Sequence, residues 1–334
     1  MKTFFVGFCF ALHFWLVVLC YLPYLNTQIS GAQLPILGGF TLFLPLLLAL
    51  HLASLLLWFV SKKYKTFLVF LVLSIGLYKP FTSFVHFNLW QKKSAQNPYK
   101  ILSLNTRYFR EGMEPFKLKI QRESPDFILL QEVKKEQAKD LAQNLDYQIA
   151  QFPYVCILSK YKIEKSAEIF DQTSNGHACY AEVNLDGQRL KIINTYLEPF
   201  YLDQKDQRFH LKEPYLLKKE LLELLKKLKR GFEYHTGQLS LLEPHIKDQS
   251  AAVILGGDLN SVPFSSEYLS ISNHLQDLFP KAGVGFSTSY STPYFPLRID
   301  YFFGSKKILA QKYSVEPGNF SDHKPIVLEF AIQP

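Results

Sequence analysis

The apolar residues of this chain follow two different patterns, one before residue 90 and one after it. Before residue 90 they form long runs over Phe4–Leu25 and Leu34–Val60, and a third run over residues 66–87 that Lys79-Pro80 interrupts. A bilayer core about 30 Å thick is crossed by about 20 apolar helical residues. The pattern predicts a membrane anchor over residues 1–90 with two or three transmembrane helices, at about 4–25, 34–60 and 66–87. The alternative for the first run is a secretory signal peptide, whose apolar core of about 7–15 residues is shorter.

After a polar linker over residues 91–99, shorter apolar runs alternate with amphipathic stretches. This alternation predicts a mixed α/β or α+β domain with a single core over residues 100–334. The predicted strands are Ile101–Leu104, Phe127–Leu130, Tyr154–Leu158, Ala178–Val183, Leu190–Thr195, Ala252–Leu255, Ile299–Phe303 and Ile326–Phe330. The predicted helices are Phe116–Glu123, Lys134–Leu145, Pro214–Lys229 and His235–Lys247. Asp186-Gly187 predicts a hairpin turn between two of the strands.

The distribution of charge indicates how the chain is oriented in the membrane. Residues 1–90 contain five lysines and no acidic residue, and three of these lysines lie in the loop Ser61–Lys65. The positive-inside rule places that loop in the cytoplasm. We therefore expect an integral membrane protein whose large domain is extracytoplasmic if the anchor has three spans, and cytoplasmic if it has only two. Residues 91–334 contain 32 basic and 29 acidic residues and carry only +3 of the overall charge of +8, which does not predict strong nucleic-acid binding.

Two cysteines, Cys156 and Cys179, lie in predicted strands of the large domain. In an exported domain they could form a disulfide. The alternative, which the sequence favours, is that both are small buried hydrophobic residues.

Polar side chains stand where the predicted strands end or begin. The residues concerned are Asn105, Glu132, Asp258, Asn260, Asp300, Asp322 and His323. Each of them alone is more often a turn or helix cap than a functional group. A sheet brings strand ends together at one rim, however, so we expect these side chains to converge there.

The chemistry of this set favours a hard cation and a phosphoester. Carboxylate and amide oxygens with one imidazole and no thiolate suit Mg²⁺, with Mn²⁺ as an alternative, better than Zn²⁺. Hydrolysis of a phosphate ester requires a positioned water, a base and positive charge on the phosphoryl oxygens. The set contains candidates for each of these functions.

The motifs that carry these residues resemble those of the endonuclease/exonuclease/phosphatase family. They are LSLN ending at Asn105, PDFILLQE ending at Glu132, IINTYLEP around Tyr196, LGGDLN ending at Asn260, RIDYFF around Asp300 and SDHKPI around His323. The family includes pancreatic-type deoxyribonuclease, apurinic-site endonucleases, neutral sphingomyelinases and inositol-polyphosphate phosphatases. The resemblance implies an α+β fold, a four-layer α/β/β/α sandwich of two packed mixed sheets flanked by helices, here preceded by transmembrane helices.

The resemblance also implies a role for each residue. Glu132 matches the principal metal ligand, Asn105 a residue beside the metal, and Asp322 an acid near it. Asp258 matches the acid that orients or deprotonates water, and Asn260 the amide that holds the water or the phosphate. His323 matches the histidine that contacts the phosphoryl oxygen, and Asp300 the acid that orients this histidine.

Two positions depart from the family pattern. Tyr196 stands where many members have histidine, and its phenol can still donate a hydrogen bond to phosphate. Arg107 stands where apurinic-site endonucleases have an acid, and it could contact the substrate phosphate.

The stretch Pro214–Arg230 combines a leucine face with six basic residues. Next to a membrane anchor such a helix could lie on anionic lipid. The alternative, which the sequence favours, is a helix packed on the sheet with a solvated outer face.

The sequence thus predicts a membrane-anchored, Mg²⁺-dependent phosphoester hydrolase, most simply a phosphodiesterase. Its expected partners are the lipid bilayer and a phosphoester substrate, either nucleic acid or a lipid headgroup, and no obligate protein partner is evident. The alternative is a catalytically silent, membrane-bound binding module with the same fold.

Overall fold

The computed structural model describes residues 2–87, 97–171, 173–201, 213–291 and 296–333. Most of the predicted linker lies outside these residues. The N-terminal part is helical, and the part that follows residue 97 is a sandwich of sheets and helices.

The N-terminal part contains five α-helices: α1 (Lys2–Tyr21), α2 (Pro35–Thr41), α3 (Leu44–Val60), α4 (Tyr64–Leu73) and α5 (Tyr78–Phe84). Two helical segments, Phe4–Thr27 and Tyr64–Phe84, are long and apolar enough to cross a membrane. Helices α2 and α3 are bent by 57° relative to each other. If together they cross the membrane once, they form a third span. Association with a membrane is therefore supported, while the anchor boundaries remain a prediction.

The bend divides the predicted span 34–60 for a local reason. Pro45 lies in the first turn of α3, where a missing N–H and a fixed φ start a new helix at little cost. Helix α3 alone has 17 residues, which rise about 25 Å at 1.5 Å per residue. Lys79-Pro80, by contrast, does not interrupt the helical segment Tyr64–Phe84.

Buried polar side chains join the anchor helices to one another. Trp58 Nε1 donates to His13 Nδ1 at 2.9 Å, the rings of His13 and His51 are joined at 2.9 Å, and His51 Nε2 lies 2.8 Å from Ser74 Oγ. Hydrogen bonds of this kind connect helices in an apolar environment, where polar groups must find partners within the protein.

Sixteen strands lie in the described parts of the chain. They are β1 (Val85–His86), β2 (Tyr99–Asn105), β3 (Phe127–Gln131), β4 (Gln148–Phe152), β5 (Val155–Ser159), β6 (Ile163–Glu168), β7 (His177–Leu185), β8 (Gln188–Tyr196), β9 (Ala252–Asp258), β10 (Gln276–Asp277), β11 (Gly285–Phe286), β12 (Tyr290–Ser291), β13 (Pro296–Leu297), β14 (Asp300–Gly304), β15 (Ile308–Val315) and β16 (Ile326–Ile332). The helices between them are α6 (Glu114–Glu123), α7 (Lys135–Leu145), α8 (Pro214–Lys247), α9 (Ser266–Ser272) and α10 (Phe279–Ala282).

Two six-stranded mixed sheets pack face to face. The first has the order β15-β16-β2-β3-β5-β4 and the second the order β10-β14-β9-β8-β7-β6. Only the pairs β2–β3 and β8–β9 are parallel within them. Residues of both sheets form the central core, while α6 and α7 cover the first sheet and α8 and α9 the second. The predicted four-layer α/β/β/α sandwich is confirmed.

All eight predicted strands are present. The four edge strands of the two large sheets were not predicted from the sequence. The edge strands are β15 and β4 in the first sheet and β10 and β6 in the second. Central strands are buried on both faces and therefore read as continuous apolar runs. Edge strands are partly exposed, so their sequences carry no such signal.

Two local predictions have clear outcomes. The hairpin turn is confirmed, since Leu185 pairs with Gln188 and both residues between them have positive φ. The two predicted helices Pro214–Lys229 and His235–Lys247 are one helix, α8. Gly231, between the two predicted segments, allows the ring of Phe200 to approach: an added Cβ would lie 2.4 Å from it. Cys156 and Cys179 are buried free thiols.

The anchor contacts the sandwich at two places. Asn26 Nδ2 donates to Phe264 O at 2.9 Å, and the ring of Phe232 in α8 packs on the anchor glycines Gly31 and Gly38. At the second place, Ser83 O accepts hydrogen bonds from Arg298 Nη1 at 2.8 Å and from Ser287 Oγ at 2.9 Å.

Candidate active site

The second sheet aligns three of the predicted site residues at one rim. Asp258 is the last residue of β9, and it is the partner of Tyr196 at the end of β8 and of Asp300 at the start of β14. The three side chains therefore stand next to one another at one end of the sheet. All three residues are buried.

The first sheet contributes Asn105 and Glu132 in the same way. Asn105 ends β2 and pairs with Gln131, the last residue of β3, and Glu132 follows directly. Glu132 has a φ of 47°, and its carbonyl accepts hydrogen bonds from Thr106 Oγ1 at 2.7 Å and from Tyr108 N at 2.8 Å. Such a conformation is costly for a residue with a side chain and persists where the surroundings hold it in place.

Hydrogen bonds join the rims of the two sheets. Asn105 Nδ2 donates to Glu132 Oε1 at 3.1 Å and to Asp258 Oδ2 at 3.0 Å. Tyr196 OH donates to the same Glu132 oxygen at 2.9 Å. Burial, and then the charge of Glu132, raise the pKa of Tyr196 far above its usual value, so the phenol stays protonated and acts as a donor.

His323 and Asp300 form a buried pair beside Asp258. His323 Nδ1 donates to Asp300 Oδ2 at 2.9 Å, and His323 Nε2 lies 3.8 Å from Asp258 Oδ2. Burial alone would lower the pKa of His323, but Asp300 and Asp258 outweigh it and raise the pKa to about 9. Burial, and then the charge of Asp300, raise the pKa of Asp258. The cluster therefore contains an imidazolium next to a carboxylate that takes up a proton more readily than usual.

The remaining predicted residues lie at the border of the cluster. Asn260 N donates to Asp258 Oδ1 at 2.8 Å, and its Nδ2 donates to Leu197 O at 2.8 Å. Arg107 Nη1 lies 3.4 Å from Asp322 Oδ2, and both side chains are accessible. The structure thus brings together all nine predicted residues, and it pairs Arg107 with an acid that the sequence had assigned to the metal.

The donor set fits a hard divalent cation. Oxygens of Glu132 and Asp258 both lie about 3 Å from one amide nitrogen, that of Asn105, which holds the two carboxylates side by side. Carboxylate and amide oxygens without thiolates suit Mg²⁺. Asp258, Asp300 and His323 form a second possible group, with ligand atoms within 4.8 Å of one another. In this group Asp300 Oδ2 and His323 Nδ1 are hydrogen-bonded to each other. This favours an acid–imidazole pair over a second metal site.

Four residues around the site were missed by the sequence analysis. Ser289 Oγ donates to Asp300 Oδ2 at 2.6 Å, and the ring of Tyr290 packs on His323 at 4.7 Å. Below the rim, Gln131 Nε2 donates to Asn194 Oδ1 at 2.6 Å and so links the two sheets. Gln131 and Asn194 lie within recognised motifs, which was an available signal; Ser289 and Tyr290 lie in a stretch without one.

A family model described as "Endonuclease/Exonuclease/phosphatase family" matches residues 102–323, which include all nine predicted site residues. The chain belongs to this family. Its predicted membership is confirmed, and with it the assignment as a hydrolase that acts on ester bonds.

Solved structures share the fold of this endonuclease/exonuclease/phosphatase protein at low sequence identity. An endonuclease/exonuclease/phosphatase from Bacteroides vulgatus is 15% identical with a TM-score of 0.56, covering 71% of this chain and 100% of that chain. The mannosyl-6-phosphatase of Bacteroides thetaiotaomicron is 14% identical with a TM-score of 0.54, covering 70% and 100%. D. rerio TDP2 complexed with a single-strand DNA product is 18% identical with a TM-score of 0.53, covering 71% and 100%. No curated protein matches the sequence.

Proposed function

We propose that this protein is a membrane-anchored, Mg²⁺-dependent phosphodiesterase that hydrolyses its substrate by attack of water on phosphorus. The observation that carries the proposal is the convergence of Asp258, Asp300 and His323 within 4.8 Å, beside Glu132 and Asn105. This arrangement offers a base, a cationic donor and oxygen ligands at one rim.

Glu132 and Asn105 would hold the metal ion, with Asp322 as the third candidate ligand. When bound, the ion supplies positive charge to the phosphoryl oxygens. Tyr196 keeps the Glu132 carboxylate in position through its hydrogen bond of 2.9 Å. Arg107, paired with Asp322, is the candidate contact for a further substrate phosphate oxygen.

Asp258 accepts the proton of the attacking water. Its raised pKa brings this carboxyl nearer to neutrality, where a general base is most effective. The hydrogen bond from Asn260 N fixes one carboxylate oxygen of Asp258, and Asn260 thereby orients the base.

His323 donates from Nε2 to a phosphoryl oxygen. Asp300 binds Nδ1 at 2.9 Å, which fixes the ring and stabilises the imidazolium in the manner of hydrolase triads. A preorganised donor of this kind stabilises the charge that develops in the transition state.

The position of the anchor favours a lipid headgroup over a nucleic acid as substrate. Both loops that dock on the anchor continue directly into the site: Phe264 lies four residues after Asn260, and Ser287 two residues before Ser289. Two residues of extended chain span at most about 7 Å. The catalytic rim therefore lies close to the point where the helix Tyr64–Phe84 ends. If this helix crosses the membrane, the rim would stand near the level of the phospholipid headgroups. Neighbours of the same fold are named for a sugar phosphate and for a DNA product, so a nuclease is the second outcome to test.

The same contacts favour an extracytoplasmic catalytic domain. The segment that contains Asn26, Gly31 and Gly38 touches the sandwich, so it lies on the same side of the membrane as the sandwich. The lysine-rich loop Ser61–Lys65 lies beyond the next span, on the opposite side, which the positive-inside rule assigns to the cytoplasm.

The test uses the purified full-length protein with a soluble aromatic phosphodiester, phospholipid vesicles and plasmid DNA, each with Mg²⁺ or with EDTA. We expect the protein to release headgroups from the vesicles with Mg²⁺, and we expect EDTA to abolish this release. Glu132→Gln and His323→Ala should each reduce the rate by about 100-fold or more, and Glu164→Gln, an exposed residue of β6, serves as the control. Undiminished activity of both variants would contradict the proposal. Hydrolysis of DNA alone would make the protein a nuclease, and absence of all hydrolysis would favour the silent binding module.

A further inference from the structure

Two apolar patches lie beside the contacts between the catalytic domain and the anchor. The first, the β1–β11 patch, consists of Phe87, Val284 and Phe286, whose exposed fractions are 63%, 57% and 71%. Strand β1 follows directly on the helix Tyr64–Phe84, and Val85 pairs with Phe286 in β11. The patch is therefore continuous with the end of a helix that is apolar enough to cross a membrane.

The second patch, the helix patch, lies on the N-terminal half of α8. Leu228 and Phe232 of α8 pack on the anchor, at Gly39 and at Gly31 and Gly38 respectively. Leu221 precedes Leu228 by seven residues, or two helical turns, and so lies on the same face. Its side chain is 43% exposed. The leucine face thus begins on the anchor and continues beyond it along the helix.

Positive charge surrounds the helix patch. Residues 214–230 contain six basic and two acidic residues, a net charge of +4. Lys218 and Lys229 flank the leucine face, and long basic side chains can extend from such a flank to lipid phosphates. The charge of this segment is complementary to anionic lipid.

We propose that the β1–β11 patch and the helix patch contact the surface of an anionic phospholipid bilayer and hold the catalytic domain against it. The two patches border the two anchor contacts, so both face the side on which the anchor enters the membrane. Single exposed apolar residues are ordinary on protein surfaces, but two groups that both continue an apolar anchor define a membrane-facing surface. The alternative stated for residues 214–230, a helix packed on the sheet with a solvated outer face, does not account for the exposure of Leu221 on the leucine face.

The test measures membrane depth in the full-length protein, reconstituted in bilayers of phosphatidylcholine and phosphatidylglycerol at about 7:3. Spin labels are attached at Leu221→Cys, at Phe286→Cys and at Leu118→Cys, a control on α6 whose side chain is 58% exposed. Cys9→Ser removes the half-buried native thiol, since Cys20, Cys156 and Cys179 are buried. Thermal unfolding of each labelled protein shows that it is folded.

We expect labels at 221 and 286 to collide with dissolved oxygen and to be shielded from a water-soluble nickel chelate, and the label at 118 to show the reverse. Access of the chelate to 221 and 286 equal to that at 118 would overturn the proposal, because the domain would then stand clear of the bilayer. Shielding from both reagents would also overturn it, since protein and not lipid would cover the patches. Replacing Lys218 and Lys229 by Gln should reduce the shielding at 221 and leave that at 286 unchanged. Unaltered shielding at 221 would overturn the contribution of anionic lipid.

Discussion

At the scale of single residues, Ser289 determines how the candidate catalytic pair is held. Its hydroxyl donates to Asp300 Oδ2 at 2.6 Å and accepts from Asp300 N at 3.1 Å. The carboxylate that binds His323 is thus fixed by the loop that docks on the anchor. Ser289 acts through Asp300 and is a positioning residue.

Ser289→Ala should reduce kcat by about tenfold to 100-fold with little change in KM, because a hydrogen bond to a charged group contributes about 1.5–3 kcal/mol. Ser289→Thr keeps the hydroxyl and should restore part of the rate. Steady-state kinetics on the soluble diester measure both variants, with Ser240→Ala on the exposed face of α8 as the control. A kcat of Ser289→Ala equal to that of the parent protein would exclude the positioning role.

Some site residues could be predicted from the sequence and others could not. Asn105, Glu132 and Asp258 stand at the ends of apolar strands, where a polar residue is conspicuous in the pattern. Ser289 lies in the short connection between β11 and β12, and nothing in the residues around it indicates a buried partner. Its role depends on a contact with Asp300, eleven positions away, that only the folded loop creates.

At the scale of elements, α8 shows that two glycines of one helix can differ in their structural role. Glycine inside a helix usually weakens it by about 1 kcal/mol relative to alanine, and Gly231 lies between the two helices predicted from the sequence. The helix is continuous, and Gly231 is needed for contact with Phe200, whose ring also packs at 4.9 Å on Phe232 and on His235. Gly237 of the same helix has no heavy atom within 4 Å of a Cβ added there.

We expect Gly231→Ala and Gly237→Ala to change stability in opposite directions. At Gly237 the better helix propensity should stabilise the protein by about 1 kcal/mol. At Gly231 the added methyl group would displace the ring of Phe200, and overpacking of this kind costs about 1–3 kcal/mol. Thermal unfolding in detergent compares the two variants. If both raised the Tm equally, the ring of Phe200 could move aside without loss of stability.

The contact between α8 and α9 should make stability depend on pH. His235 Nδ1 lies 3.0 Å from Glu267 Oε1 in a buried pair. Burial alone would raise the pKa of Glu267, but the hydrogen bond and the charge of His235 outweigh it and lower the pKa below 4.5. A carboxylate with a lowered pKa in the folded state contributes stability above about pH 4.5, and this contribution is lost as the pH falls through the lowered value.

Glu267→Gln should therefore flatten the decline in stability below pH 4.5 and lower stability at pH 7 by about 1–3 kcal/mol. Unfolding of the full-length protein from pH 3 to pH 7 measures both effects. Glu243→Gln is the control, since Glu243 is a partly exposed acid of α8 paired with Lys247 at the helix surface. If the stability of Glu267→Gln declined below pH 4.5 as steeply as that of the parent protein, other groups would cause the acid sensitivity.

At the scale of the whole molecule, the contacts between anchor and sandwich constrain the topology. The segment around Asn26 and the end of α5 both touch the sandwich and are separated by the lysine-rich loop. If the bent pair α2–α3 forms one span from the first contact to that loop, the segment Tyr64–Phe84 would lead back to the second contact. Together with α1 this would make three crossings, so the three-span topology is the prediction that these contacts favour.

A membrane-impermeant thiol reagent should label Glu164→Cys in intact cells and should not label Lys63→Cys until the cells are lysed. Glu164 lies on an exposed edge strand of the catalytic domain, and Lys63 in the loop that the positive-inside rule assigns to the cytoplasm. A parent variant with Cys9→Ser provides the background. The reverse pattern of labelling would place the catalytic domain in the cytoplasm.

The sequence by itself determined the order of the parts and the chemistry of the site. Long apolar runs, buried central strands and polar strand ends are local properties, so they can be read from neighbouring residues. Only the tertiary structure decided the edge strands, the continuity of α8, the role of Ser289 and the docking of the catalytic rim on the anchor. These features depend on contacts between residues far apart in the chain, such as Ser83 with Arg298, and such contacts leave no periodic signal in the sequence.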